Sequence, residues 1–174
     1  LRGLNFYLPA DIVIQEAYEV NPEFHSRRSA LTRIYRYHIL NQSQPSPIRR
    51  NTHHLVRETL DAAQMAGAVR GLVGEHDFRP LAAGHPKEKS AVRRVSRWEV
   101  WRDGDTVIIE CEANGFLRHQ IRRANALLVG VGTGKWTESI ITDSLQARLP
   151  QNLSFPILPA KGLCLMQVTY PDSW

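Results

Sequence analysis

Cysteine is nearly missing: Cys111 and Cys164 stand far apart, each inside an apolar run. They form neither a metal-ligand spacing nor a disulfide framework, so two buried free thiols in a reducing compartment are expected. No apolar run approaches the ~20 residues of a membrane span, and no secretory leader is visible at the start. Metal and nucleophile signatures are also lacking. His53-His54 has no nearby third ligand and reads as a surface pair, so no metal site is expected. No Ser, His and Asp set stands out. Gly130-x-Gly132-x-Gly134 follows a helical pattern instead of opening one, which argues against a phosphate-cradling loop. Acid is in deficit, with 17 acidic residues against 22 basic ones among 174, a formal charge of +5 and a pI near 9.6. That balance favours an anionic partner.

The charge is clustered. Arg27, Arg28, Arg33 and Arg36 fall within ten residues that contain no acid. Lys87, Lys89, Arg93, Arg94 and Arg97 form a second cluster, and Arg118, Arg122 and Arg123 a third. Tyr35, Tyr37 and Trp98 lie among them, a mixture that suits a nucleic-acid surface better than a membrane. The apolar fraction and length fit one sizeable core or two small ones. Residue 1 is a leucine and the sequence opens directly into folded-looking chain, which points to a piece of a longer protein.

The stretch from Asn114 to Lys135 organises the rest. Asn114-Gly115 reads as a turn, and the following run as a helix. Leu117, Ile121, Ala124, Leu128 and Val131 share one face by their spacing. Arg118, Arg122 and Asn125 share a neighbouring face. Gly130, Gly132 and Gly134 are expected to end the helix. Upstream, Leu4 to Pro9 is a short apolar segment, and Asp11 to Val20 reads as a strand. Ala30 to Asn41 is the clearest strand. Alternation places Arg33, Tyr35, Tyr37 and Ile39 on one face and Thr32, Ile34, Arg36, His38 and Leu40 on the other. Asp61 is an expected N-cap for a helix with Leu60, Ala63, Gly67, Val69 and Leu72 on its apolar side. His76-Asp77 reads as fixing a loop, and Leu81 to Lys89 as an exposed loop. Ala91 to Ala113 is a hairpin turning at Asp103-Gly104. Thr137 is expected to cap a short helix running to about Arg148, with Glu138 in its first turn. Pro150 to Pro159 reads as loop, and Gly162 to Tyr170 as a last strand. The expected class is α+β: a mixed, mainly antiparallel sheet with helices packed on one face.

Four blocks of this sequence, F-H-S-R-R-S-A-L-T-R-I-Y-R-Y-H-I-L-N, L-D-A-A-Q-M-A-G-A-V-R-G-L-V-G-E-H-D-F, N-G-F-L-R-H-Q-I-R-R followed by V-G-T-G-K, and P-A-K-G-L-C-L-M-Q-V-T-Y-P, resemble the tRNA pseudouridine synthase A family in order and spacing. The resemblance implies the C-terminal half of a pseudouridine synthase fold over residues 1–174. It implies isomerisation of uridines in the tRNA anticodon stem-loop, without metal or organic cofactor. It further implies tRNA as partner, a homodimer, no membrane and a cytoplasmic location.

Carried over residue by residue, Tyr35 resembles the family's active-site tyrosine, lying against the flipped uracil with a possible share in proton transfer. Arg122 resembles the helix arginine that pairs with the catalytic aspartate, and Arg27 one near the active-site mouth. Position and charge add Arg33, Arg36, Lys87, Lys89, Arg93, Arg94 and Arg118 as candidate RNA contacts. Gln120 stands where the family usually has methionine. The family's nucleophile sits in a G-R-T-D-A-G-V-H segment, and none of the seven aspartates here stands in such a motif. The chain alone is therefore expected to be inactive. The alternative is a non-catalytic RNA-binding module using the same basic face.

Overall fold

The β-branched and aromatic alternation of residues 32–41 makes them a central strand with both edges occupied. The structure, a computed structural model, describes residues 2–148 and 156–171. In chain order its main elements are α1 (Arg2–Tyr7), β1 (Thr32–Asn41), β2 (His54–Val56), α2 (Ala62–Ala68), β3 (Gly74–Asp77), β4 (Val92–Asp103), β5 (Thr106–Ala113), α3 (Gln120–Gly132), α4 (Ser139–Leu145) and β6 (Leu163–Thr169). One edge of β1 pairs antiparallel with β5. The other edge is shared. β6 runs antiparallel along Thr32–Tyr37, and β2 runs parallel along Ile39–Asn41. β4 pairs with β5 and β3 with β4, which completes a six-stranded mixed sheet. The β4–β5 hairpin turns at Gly104, whose φ of +57° suits glycine.

Period-two alternation decides which face is dry. Tyr37, Ile39, Trp98, Ile109, Cys111 and Ala113 turn to one face and are buried against Met65 of α2, Leu128 and Val131 of α3, and Ile141 of α4. Each fully buried Ile, Leu, Val or Met of this set contributes about 1.5–3 kcal/mol by leaving water. The opposite face carries an ion lattice. Glu110, its side chain only 8% exposed, pairs with Arg36 at 2.6 Å and Arg97 at 2.8 Å. Arg36 also lies over the Trp101 ring at 5.6 Å.

Several expectations are corrected. Residues 11–20 form no strand, and Asn5 ties Ile14 through two 2.8 Å hydrogen bonds instead. The Leu4 segment is helical. Gly130 and Gly132 lie inside α3, where a Cβ would meet the Trp136 ring at 2.2 Å and Met65 Sδ at 2.6 Å. Close packing explains them; Gly134, at φ +73°, lies past the helix end as expected. Asn125 is fully buried, not on the cationic stripe. Asp61 caps α2 through Ala63 N and Gln64 N, but Ala63 is exposed and Met65 takes the buried place. Thr137 does not cap α4 by its side chain, and its hydroxyl meets Ser139 Oγ at 3.0 Å. His76-Asp77 belongs to β3. Cys111 is buried as expected, whereas Cys164 is exposed. Residues 150–155 of the expected loop lie outside the described residues.

Candidate nucleic-acid interface

Tyr35 shares its face with Tyr37 but stands two residues nearer the start of β1, where the core gives out. It is half-buried, and the edge of Phe116 meets it with centroids 5.5 Å apart and planes at 89°. Two cavities join at this aromatic pair. The smaller, about 340 Å³, is walled by Tyr35, Phe116, Ile121, Leu163, Arg118 and Arg122. The larger, about 890 Å³, runs past His25, Arg27, Arg28, Arg33, Lys89 and Arg93 to Asn114 and Gly115. Arg27 touches both. Among the described residues no carboxylate lines either one. The arrangement is an aromatic-floored compartment of base size opening into a cationic groove.

The entry of α3 sets the arginine side. Gln120 Oε1 accepts from Leu117 N at 2.8 Å, and His119 takes a left-handed φ of 63°, so the chain turns sharply between the hairpin and the helix. Arg122 then projects from the first turn of α3 into the smaller cavity. Its Nε donates to Leu158 O at 2.5 Å, and Leu158 N donates back to Arg122 O at 3.3 Å. Tyr37 Oη donates to Pro159 O at 2.8 Å, which holds the same segment. Burial pushes the Tyr37 phenol well above its ordinary value, and the Arg122 charge opposes that rise. Among the described residues no carboxylate comes within ion-pair distance of Arg122. Burial, then Arg122, Arg118 and Arg123, keep His119 below the ordinary histidine range.

The remaining candidate cations separate by strand face. Arg27, Arg33, Lys89 and Arg93 line the groove, and Arg118 lines the compartment. Arg33 is engaged: its Nη1 donates to Ala30 O at 3.2 Å and Asn114 O at 2.5 Å, and its Nη2 to Arg27 O. Burial and the nearby Arg33 charge both lower the Arg93 pKa, the sign of cations crowded without an anion. Arg36 is not brought to the groove, because its side chain belongs to the Glu110 lattice on the far face. Arg94 is turned away as well and pairs with Glu75 at 3.2 Å. Lys87 is exposed on the loop before Lys89 and lines neither cavity. Residue-by-residue reading missed His25 and Phe116, and placed Arg28 only within the first basic cluster. An aromatic between a turn and a cationic helix, as in N-G-F-L-R-H, is the signal that could have found Phe116. Among the described residues no group of three His, Cys, Asp or Glu could hold a metal ion, and no helix is long and apolar enough to cross a membrane.

A model of a family described as tRNA pseudouridine synthase matches residues 68–171. Three similar curated proteins are each named tRNA pseudouridine synthase A. One from a Geobacter species is 38% identical over 171 residues, covering 98% of this chain and 69% of the relative. One from a Roseiflexus species is 40% identical, covering 99% and 64%. One from Roseiflexus castenholzii is 42% identical, again covering 99% and 64%. The chain thus spans about two thirds of the length of these relatives.

Proposed function

The chain belongs to the tRNA pseudouridine synthase family, and from that premise we propose that it supplies the nucleotide-holding part of an enzyme that isomerises uridine to pseudouridine in tRNA, in the anticodon stem-loop. The observation that carries this reading is the shared compartment of Tyr35 and Arg122, opening into a groove lined, among the described residues, by five arginine and lysine side chains and no acid. An extruded uracil would stack on the Tyr35 ring, with Phe116 fixing that ring from its edge. Arg27, Lys89, Arg93 and Arg118 would hold flanking phosphates, with Lys87 farther out on the same loop. The Tyr35 hydroxyl would serve in proton transfer.

Arg122 would pair with the nucleophilic carboxylate. No described aspartate lines either cavity, so we take that carboxylate from a part of the protein beyond these 174 residues, and the chain alone to be inactive. An unpaired guanidinium is tolerable here because Arg122 faces an open cavity instead of a sealed core. The same reading takes a homodimer and a cytoplasmic location from the family resemblance, and needs no cofactor.

The base leaves its sugar through one ring atom and returns through C5, so hydrogen at C5 is released. Tritium release from uridine-labelled tRNA therefore reads the reaction. In the full-length enzyme Tyr35→Phe should keep tRNA binding and lose most turnover, whereas Tyr35→Ala should weaken both, stacking being worth about 1–3 kcal/mol per base. Wild-type turnover in Tyr35→Phe would remove the hydroxyl from the chemistry. Turnover by the bare chain would refute the assignment of the nucleophile elsewhere. A full-length protein that binds tRNA in a salt-dependent way but never releases tritium would favour a non-catalytic RNA-binding module.

A further inference from the structure

Arg33 was grouped by charge with the RNA-binding cations, yet its surroundings describe another job. A guanidinium has five N–H donors. Three of them are spent on backbone carbonyls, those of Ala30, Asn114 and Arg27. These carbonyls come from two segments far apart in sequence, and both segments line the groove through Arg27, Arg28, Asn114 and Gly115. Arg27 and Ala30 belong to the loop that presents Arg27 and Arg28. Asn114 belongs to the turn between β5 and α3, and is itself fastened to β4. Its Oδ1 accepts from Arg94 N at 3.0 Å, and its N donates to Arg94 O at 3.1 Å.

Residues 24–30 contribute no strand or helix of their own. They are folded on themselves through His25 N to Ser29 Oγ at 3.0 Å, Ser29 N to His25 O at 2.8 Å and Arg27 N to His25 Nδ1 at 3.2 Å. Their outer tether is Tyr170 Oη, which donates to Ser26 O at 2.8 Å. Arg33 is the inner tether. It leaves the sheet at β1 and binds both segments at once, with Arg27 and Arg28 exposed.

We propose that Arg33 is a positioning residue, a brace that joins the Arg27 loop to the Asn114–Gly115 turn and builds the cationic groove before any anion enters. The proposal deepens the RNA reading and rests on it only for the identity of the anion. A planar fork can serve three carbonyls at once, whereas an ammonium on a flexible stem cannot hold that geometry. Charge alone should therefore not replace it.

The test uses Arg33→Lys and Arg33→Met, with Lys89→Ala as a phosphate-contact control. Hydrogen exchange is measured on the free chain. Both Arg33 variants should speed exchange at Arg27 and Ser29 about tenfold or more, as expected when local opening loses three hydrogen bonds. The β4–β5 hairpin should keep its protection, which shows that the variants fold. Unchanged exchange at those amides in Arg33→Met would overturn the brace. Binding of unmodified tRNA is then measured against salt. Arg33→Lys should weaken binding as much as Arg33→Met, with the salt slope of the wild type, while Lys89→Ala lowers the slope by about 1. Full binding by Arg33→Lys, together with a slope reduced in Arg33→Met, would make Arg33 a phosphate ligand and overturn the proposal. If exchange rises as expected but no form of the chain binds tRNA, the brace stands and the RNA reading falls.

Discussion

Replacing Gly162 by alanine should damage the wall of the Tyr35 compartment through a contact that can be worked out atom by atom. Ala160–Gly162 is a short 3₁₀ turn that crosses β1 and leads into β6. A Cβ on Gly162 would lie 2.7 Å from Tyr37 Cζ, 2.9 Å from its Cε1 and 3.0 Å from the His38 carbonyl oxygen. Comfortable carbon contacts are about 3.5–4.0 Å. Tyr37 cannot swing aside, because it is fully buried and its hydroxyl holds Pro159 O. The His38 oxygen is fixed in a central strand. The turn must lift instead. Overpacking of this kind costs about 1–3 kcal/mol, and loss of the Tyr37–Pro159 hydrogen bond adds about 1 kcal/mol. At about 2–4 °C per kcal/mol for a chain of this size, melting should fall by roughly 5–15 °C. Thermal unfolding followed by circular dichroism measures it. The double variant Tyr37→Leu/Gly162→Ala should lose less than the sum of the two single changes, since the ring is the obstacle. A Gly162→Ala protein melting within about 1 °C of wild type, or strict additivity in the cycle, would refute the packing argument.

Other outcomes follow from the same structure. Glu110→Ala strands Arg36 on the far face of the sheet, while Arg97 keeps Glu99 and Glu112, and should cost about 1–3 kcal/mol by denaturant titration, less than a sealed pair because both arginines are about a third exposed. Asp61→Ala removes the α2 cap bonds to Ala63 and Gln64 and should cost about 1 kcal/mol in the same assay. Burial lowers the pKa of His38, His53 and His54, with Arg36, the His38–His53 contact and Lys161 as further causes. The folded state then binds fewer protons than the unfolded one, so stability is full above the ordinary histidine value near 6.5 and falls as pH drops below it. A denaturant midpoint that stays level from pH 7 to 5 would contradict this. The crowded groove cations should be relieved by anions, so tRNA added at low salt should raise the melting temperature and high salt should erase the gain.

What could be read from the sequence was what local periodicity determines. Residues 32–41, the hairpin at Gly104 and the apolar stripe Leu117–Val131 each declare themselves within a few turns or pleats. The same alternation separates Arg33 and Tyr35 from Arg36, yet clustering by charge put Arg36 with Arg33 among the RNA contacts. Proximity along a strand says nothing about which face a side chain takes. Residues 11–20 have strand composition and no strand, and Asn5 holds Ile14 in a local turn-back that composition does not announce. Gly130 and Gly132 look like helix terminators; what fixes them is Trp136 and Met65, which are visible only after packing. The compartment itself draws on β1, the turn at 114–119, α3 and the segment around 158–163, and no window of sequence holds more than part of it.

That composition has a consequence for when the site comes into being. β1 meets β6 from the far end of the chain, Tyr37 holds Pro159, and Ser26 accepts from Tyr170, a separation of 144 positions. Contacts so distant in sequence carry the largest loop-closure cost and form late. A ribosome could deliver β1, the hairpin and α3 and still have made no compartment. The helix arginine would wait beside a half-open sheet until the final strand slid along β1 and set the last wall. Ligand binding by this site is then a reporter of completed folding, and any defect in the closing strand should appear first as a loss of binding in a chain whose hairpin and central helix are intact.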